Sequence, residues 1–335
     1  MADLELTFAG GGAAEKFQPL FDGSVKPEGI ALRPSAIPIA ELFLRIVKEN
    51  PFDVAELALT EHIWDFEHQG RWTAIPVFPG WVFSCHTETL VNKDSGIEKP
   101  EDLRGKRVGI PEYGVAAITW IRYALESEYG VRPQEILWFE ERAERNSHLR
   151  AMGWKPPADL QVQIIPEDKR LSEMLIAGEI DAVTRYFGRP PDYAKGMVRL
   201  DRSNIPLREL GEDPKTRWLY ADRKATAIEY HRKIGYLQPI HCVVIKKEIV
   251  AEHPWAPLSL QQALARALPG PYGQPMSYSV TAEEQASVIG KDFRPAGLRR
   301  HRQAVENFLE RSKREGFASR RLRVDDLFHE STLNE

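Results

Sequence analysis

Trp81-Val82-Phe83-Ser84-Cys85-His86-Thr87-Glu88-Thr89-Leu90-Val91 leads through Asn92-Lys93-Asp94-Ser95-Gly96-Ile97 to Lys99-Pro100-Glu101-Asp102-Leu103-Arg104-Gly105-Lys106. Arg107-Val108-Gly109-Ile110-Pro111-Glu112-Tyr113-Gly114 follows. This stretch decides the reading of the whole chain. Residues 81–91 read as an extended segment with Cys85 and His86 at its centre, followed by a polar turn and a short acidic helix from Pro100 to Leu103. A strand at Arg107–Ile110 then opens through Pro111 and Gly114 into a helix from Val115 to Tyr129. A strand, a glycine-bearing loop and a helix N-terminus make a candidate anion site, because unpaired backbone N–H groups point at the ligand. Tyr113, Gly114 and Val115 are its candidate binding residues. The segment is expected to be the first crossing between two lobes, with a cleft beside it.

Working outward, 335 residues are too many for one small core and suit two lobes. Apolar residues make up 42% and charged residues 28%, a soluble globular balance. A net charge of −4 with mixed signs argues against nucleic-acid binding, which needs a basic face. The basic run Leu298–Arg302 is balanced by Glu306 and Glu310 and reads as a solvated helix face. No stretch is apolar for long enough to span a membrane, and Met1–Phe8 enters a strand without the basic and apolar regions of a leader. Two cysteines are too few for a disulfide framework, so a cytoplasmic location is expected.

Residues 4–9 alternate as a strand ending at Gly10-Gly11-Gly12, and a helix with Phe17, Leu20 and Phe21 follows. Those glycines permit close approach of a ligand, or merely a tight turn; no P-loop spacing is present. Ile30–Arg33 and Phe52–Leu57 read as strands, Ala40–Lys48 as the helix between them, and Ala58–His62 as a loop. This β-α-β-α-β order implies parallel strands with right-handed crossovers, whose ligands bind beyond the carboxyl ends. Gly11, Gly12 and Thr60 to His62 are therefore expected on one rim. Strands at 135–139, 162–165 and 180–183, helices at 169–177 and 222–233, and a mainly loop segment over 186–219 follow. Gln238–Lys247 is read as the return crossing, and Leu298–Arg314 as an amphipathic helix through Val305, Phe308 and Leu309.

Several segments resemble the 4,5-dihydroxyphthalate decarboxylase family. They are Phe52-Asp53-Val54, Ala74–Pro79, Val91–Ile97, Pro100–Tyr113, Leu171–Leu175 with Gly178–Ala182, Glu229–His241, and the tail from Arg299 to Phe328. The Asp-Leu-x-Gly-Lys-x-Val-Gly core (Asp102–Gly109) is common to many periplasmic-binding-protein-like proteins; Pro111-Glu112-Tyr113 and the tail are more specific. The resemblance implies an α/β, type II periplasmic-binding-protein-like fold of two α/β lobes joined by two crossing strands. Lobe 1 would be 1–90 plus 240–335, and lobe 2 would be 91–239. It implies a cofactor-independent, non-oxidative decarboxylase of a small hydroxylated aromatic carboxylic acid. Cys85-His86-Thr87 stands where the family pattern has Arg-His-Ser, and Glu61-His62 where small hydroxyl residues are usual. The missing arginine removes a fork that would hold a carboxylate bidentately, which leaves hydroxybenzoates beside phthalates as substrate classes.

His86 and His241, one on each crossing, are the candidate proton carriers, since imidazole titrates near neutrality. A satisfied structural role weighs evenly against function for any single histidine. Glu61 and His62 add an acid–base pair, though neighbours in sequence do not share a face. Decarboxylation needs a base for a ring hydroxyl and an acid for the carboxylated carbon. One histidine would be the acid, and the other, or Glu61, the base. Arg185 and Arg189, with the amides after Tyr113, would hold an anionic group. Cys85-His86 and His241-Cys242 mirror each other, but adjacent strand residues point to opposite faces, so no metal and no cofactor are expected. The expected partner is a small aromatic carboxylate, with no nucleic acid, no membrane and room for a homodimer. The rival class is a solute-binding protein without chemistry.

Overall fold

The computed structural model describes residues 3–11, 17–184, 202–203, 205–268, 279–290 and 293–334, without the side chains of residues 36 and 40. Two compact units emerge. Unit 1 comprises Met1–Val82, Gly235–Met276 and Thr281–Glu335; unit 2 comprises Phe83–Ile234 and Ser277–Val280. The lobe limits expected from sequence lie at 90/91 and 239/240.

Unit 1 begins with β1 (Leu4–Gly11), α1 (Gln18–Phe21), β2 (Ile30–Ile37), α2 (Ile39–Glu49), β3 (Val54–Ala58), α3 (Leu59–His68), β4 (Trp72–Ile75) and β5 (Trp81–Val82). Thr60, Glu61 and His62 thus lie in the first turn of α3 rather than in the expected loop. Leu59 and Ile63, four residues apart and both buried, give that turn an inward face. The expected extended run over 81–91 is also corrected. Ser84 takes a left-handed φ of 51° and Cys85–Thr87 form a 3-10 turn. The hydroxyls of Thr87 and Thr89 donate back to the carbonyls of Ser84 (3.1 Å) and His86 (3.0 Å). Such local bonds compete with a strand ladder and win here.

Unit 2 contains β6 (Thr89–Asn92), β7 (Arg107–Ile110), α4 (Ala116–Tyr129), β8 (Leu137–Glu140), α5 (His148–Ala151), β9 (Gln161–Ile164), α6 (Leu171–Ile176) and β10 (Ala182–Thr184). After these come α7 (Leu207–Glu212), β11 (Thr216–Trp218) and α8 (Arg223–Ile234). The segment 186–219, expected to be mainly loop, holds a helix and a strand in its described part. Its sheet runs β11-β6-β10-β7-β8-β9, parallel from β10 to β9, with β6 antiparallel to both its neighbours. Leu90, Ile165, Leu171, Leu175, Ile180, Val183 and Leu210 pack its core.

The chain re-enters unit 1 with β12 (Gln238–Pro239), β13 (His241–Lys246), α9 (Lys247–Glu252), α10 (Ala256–Ala267), α11 (Ala282–Ile289), α12 (Leu298–Arg314) and α13 (Val324–Leu327). β12 pairs with β5, and the five-stranded sheet has the order β2-β1-β3-β13-β4. β2, β1 and β3 are parallel, while β13 runs against β3 and β4. Phe8, Val54, Ile75, Val243 and Ile245 meet Leu260 and Leu264 of α10 in the core. The start of β13 therefore lies beside the carboxyl ends of β1 and β3, the rim where ligands of such sheets bind. Among the described residues no helix is long and apolar enough to cross a membrane.

Candidate functional site

β3 reads Val54-Ala55-Glu56-Leu57-Ala58, and every residue of it is buried. A carboxylate in the middle of such a strand costs several kcal/mol unless donors meet it. Two do. The Gly11 amide donates to Oε2 at 2.9 Å, and Nδ1 of His241 lies 2.8 Å from Oε1. Register explains the meeting: His241 pairs with Ala58, so Glu56 is its diagonal neighbour on the same sheet face. The Glu56 side chain is fully covered, whereas His241 keeps 15% of its side-chain surface exposed. With Nδ1 turned to the carboxylate, Nε2 is the nitrogen left for a proton transfer.

The imidazole is seated on three sides. Phe43 meets it edge-on, with ring centroids 4.9 Å apart. Beneath it lies Gly80, where any Cβ would fall 2.1 Å from Nδ1, so a larger residue cannot share the space. The Gly80 carbonyl also accepts from the amides of Ile240 and His241, fixing the backbone under the ring.

The other rim residues of unit 1 are more inwardly engaged. Gly10 and Gly11 make room for Phe17 and Ile39, whose side chains would overlap a Cβ at either position. Thr60 donates its hydroxyl to Glu61 Oε2 at 2.6 Å, and both are buried. His62 is fully covered, with Nε2 3.3 Å from the Leu327 carbonyl, and burial pushes its pKa down to about 4. It ties α3 to the C-terminal segment as a neutral ring. Cys242 points to the opposite face of β13. Its thiol is held well above the ordinary range by burial and by the charges of Glu56 and Glu61. Gly12, Arg185 and Arg189 lie outside the described residues.

In unit 2, His86 sits in the 3-10 turn, 1% exposed, with the rings of Tyr230 and Tyr220 edge-on at 4.5 and 5.5 Å. Neither ring nitrogen has a hydrogen-bond partner among the described residues. Burial alone lowers its pKa to about 3, so the ring is uncharged at neutral pH. The helix-N-terminus residues are similarly occupied. Tyr113 is fully buried beneath the Arg122 guanidinium (3.7 Å) and stacked on Trp154 (5.8 Å), and its amide donates to Glu140. Gly114 leaves space for Leu149, and the Val115 amide bonds to the Glu112 carbonyl.

Beyond the ends of β7 and β8 a buried charge network closes over these residues. Glu112 accepts from Arg142 (3.1 Å) and from the Ser147 hydroxyl (2.6 Å). Burial raises the Glu112 carboxyl, but His148, Arg142 and Ser147 together outweigh it and hold the group below its usual range. Among the described residues no three His, Cys, Asp or Glu side chains are placed to hold a metal ion.

Of the residues singled out by sequence, the structure thus gives His241 a carboxylate partner. The partner itself, Glu56, went unnoticed, as did Gly80 and Phe43. The signal for Glu56 was present: an acid in mid-strand among Val54, Ala55, Leu57 and Ala58.

No family model matches the chain. A 4,5-dihydroxyphthalate decarboxylase of Comamonas testosteroni is 29% identical over 344 residues, covering 99% of this chain and 98% of that protein. The enzyme of the same name from Pseudomonas putida is 31% identical over 243 residues, 72% of this chain and 87% of its own length. The chain belongs to the 4,5-dihydroxyphthalate decarboxylase family. Membership places it among the carboxy-lyases, since both relatives are named as decarboxylases. Solved structures show the fold. The periplasmic aliphatic sulphonate binding protein SsuA of Escherichia coli superposes with a TM-score of 0.53 at 10% identity, covering 99% of each chain. The desulfurization enzyme DSZB gives 0.51 at 11% identity over 96% of each. The decarboxylase family's fold here is the type II periplasmic-binding-protein-like one.

Proposed function

We propose that the chain is a cofactor-independent, non-oxidative decarboxylase of a small hydroxylated aromatic carboxylic acid of the 4,5-dihydroxyphthalate type, with histidine as the proton carrier. The observation that carries this reading, beside family membership, is the Glu56–His241 pair at the carboxyl rim of the unit 1 sheet. An imidazole whose Nδ1 is held by a carboxylate is fixed in orientation and presents Nε2 for proton transfer.

The chemistry would run in two proton steps. A base draws the proton from a ring hydroxyl, raising electron density at the carboxylated carbon. His241 Nε2, bare at rest, takes up that proton to form the imidazolium and then gives it to the carbon. The carbon–carboxylate bond breaks, its electron pair restores the aromatic ring, and carbon dioxide leaves. His86, kept uncharged by burial within its tyrosines, resists taking up a proton, so its part would be hydrogen bonding through a neutral ring. Glu61, beside Thr60, is the other candidate base.

A thermal-shift screen of hydroxybenzoates and phthalates, followed by carbon dioxide release from each binder, tests the activity. Release from 4,5-dihydroxyphthalate or a close analogue is expected. Binding without release from any of them would instead make the chain a solute-binding protein. His241→Ala and His86→Ala should each cut turnover by about two orders of magnitude or more while the protein stays folded. Full activity in both would end the histidine assignment.

A further inference from the structure

We propose that Glu56 is the positioning residue of this site: its carboxylate holds His241 in the Nδ1–H tautomer and thereby makes Nε2 the proton-handling atom. The inference rests on His241 being the proton carrier, and it adds a residue that no sequence motif marks. An ionised carboxylate only accepts hydrogen bonds, and a backbone amide only donates. Oε2 takes the Gly11 N–H at 2.9 Å and Oε1 lies 2.8 Å from Nδ1, so the proton of the second contact belongs to the ring nitrogen.

Two further features keep the ring from escaping this arrangement. Gly80 lies so close beneath the imidazole that a flip exchanging the nitrogens would have to clear its backbone, and Phe43 closes another side. The partners are also set by sheet register rather than by a loop, since Glu56 and His241 sit on the paired strands β3 and β13. A ladder position moves little, which is what a fixed proton carrier needs. His86 is the contrast within the same chain: it has no hydrogen-bond partner among the described residues to select a tautomer.

The test is a long-range proton–nitrogen correlation spectrum of the full-length, 15N-labelled protein, with the His241 signals assigned by their loss in His241→Ala. The expected result at neutral pH is a protonated Nδ1 and a bare Nε2. A His241 protonated on Nε2 alone in the wild type overturns the proposal, with no variant needed. Glu56→Gln keeps the size but has one acceptor oxygen where the carboxylate has two, so its NH2 must face either the Gly11 amide or Nδ1. It should shift His241 toward Nε2–H. It should also lower kcat on 4,5-dihydroxyphthalate by about 100-fold or more with KM changed by less than about 3-fold. Glu56→Asp, which retains the carboxylate, should recover part of both signals. An unchanged tautomer or unchanged kcat in Glu56→Gln overturns the role. Full activity in His241→Ala would instead defeat the proton-carrier reading, whatever the spectrum shows, so the two failures are distinguishable.

Discussion

Adding one methyl group at Gly80 tests whether the seat of His241 matters. A Cβ built there lies 2.1 Å from Nδ1, 2.6 Å from Cγ and 2.9 Å from Cε1 of the ring. Ordinary contact needs about 3.5 Å, so the imidazole must retreat by roughly 1.4 Å. The backbone cannot easily yield instead, because the Gly80 carbonyl holds the amides of Ile240 and His241 at 2.9 and 3.1 Å. Retreat stretches the 2.8 Å contact to Glu56 past hydrogen-bond range. A fully covered carboxylate deprived of one donor costs about 1–3 kcal/mol. In a domain of this size each kcal/mol lowers the melting temperature by about 2–4 °C. Displacing a reacting group by about 1 Å costs on the order of 100-fold in rate. Gly80→Ala should therefore show both effects, in thermal unfolding and in carbon dioxide release. The control is the same change in a His241→Ala background, where no ring meets the new methyl and its stability cost should fall below about 0.5 kcal/mol. Unchanged stability and turnover in Gly80→Ala, or an equal cost in both backgrounds, would refute the argument.

Stability should fall as the pH drops from about 6.5 toward 5. His62, His86 and His301 are buried, with pKa values pushed down from 6.5 to about 4, 3 and 4. Below 6.5 the unfolded chain takes up protons that the folded chain refuses, which costs up to about 1.4 kcal/mol per pH unit for each histidine. Urea midpoints at pH 7 and 5 measure this, and a flat profile would contradict the burial of the three rings. Arg142→Ala should destabilise the protein by about 3–5 kcal/mol, because it strips a charge partner from the buried Glu112; a change under about 1 kcal/mol in denaturant unfolding would show the pair to be dispensable. Dialysis against a strong chelator should leave turnover unchanged, since among the described residues no three His, Cys, Asp or Glu side chains are placed to hold a metal ion. Loss of activity that zinc or manganese restores would reverse that reading.

Local pattern carried much of the fold. Apolar spacing at Val305, Phe308 and Leu309 placed α12, and all three are buried. The strand at β3 and the end of α4 at Tyr129 were equally readable, because strand and helix limits are decided by residues within a few positions. Where a local bond competed with the pattern, reading by periodicity failed. Threonine hydroxyls folded residues 84–87 into a turn, and Leu59 with Ile63 drew Thr60–His62 into a helix.

The site divides along the same line. Residue type and place in the chain named His86 and His241 together as candidate proton carriers, with Glu61 and His62 beside them, and the family resemblance named the kind of reaction. Which nitrogen of the His241 ring is committed depended on Glu56, 185 positions away in sequence. Long-range register joined the two, and long-range packing of α3 against the C-terminal segment took His62 to the Leu327 carbonyl. Composition and spacing determine which elements form and which faces they bury. Partner choice among buried polar groups is settled only when those faces pack, because an unpaired charge in the interior is so costly that the fold must supply its counterpart from wherever the chain brings one.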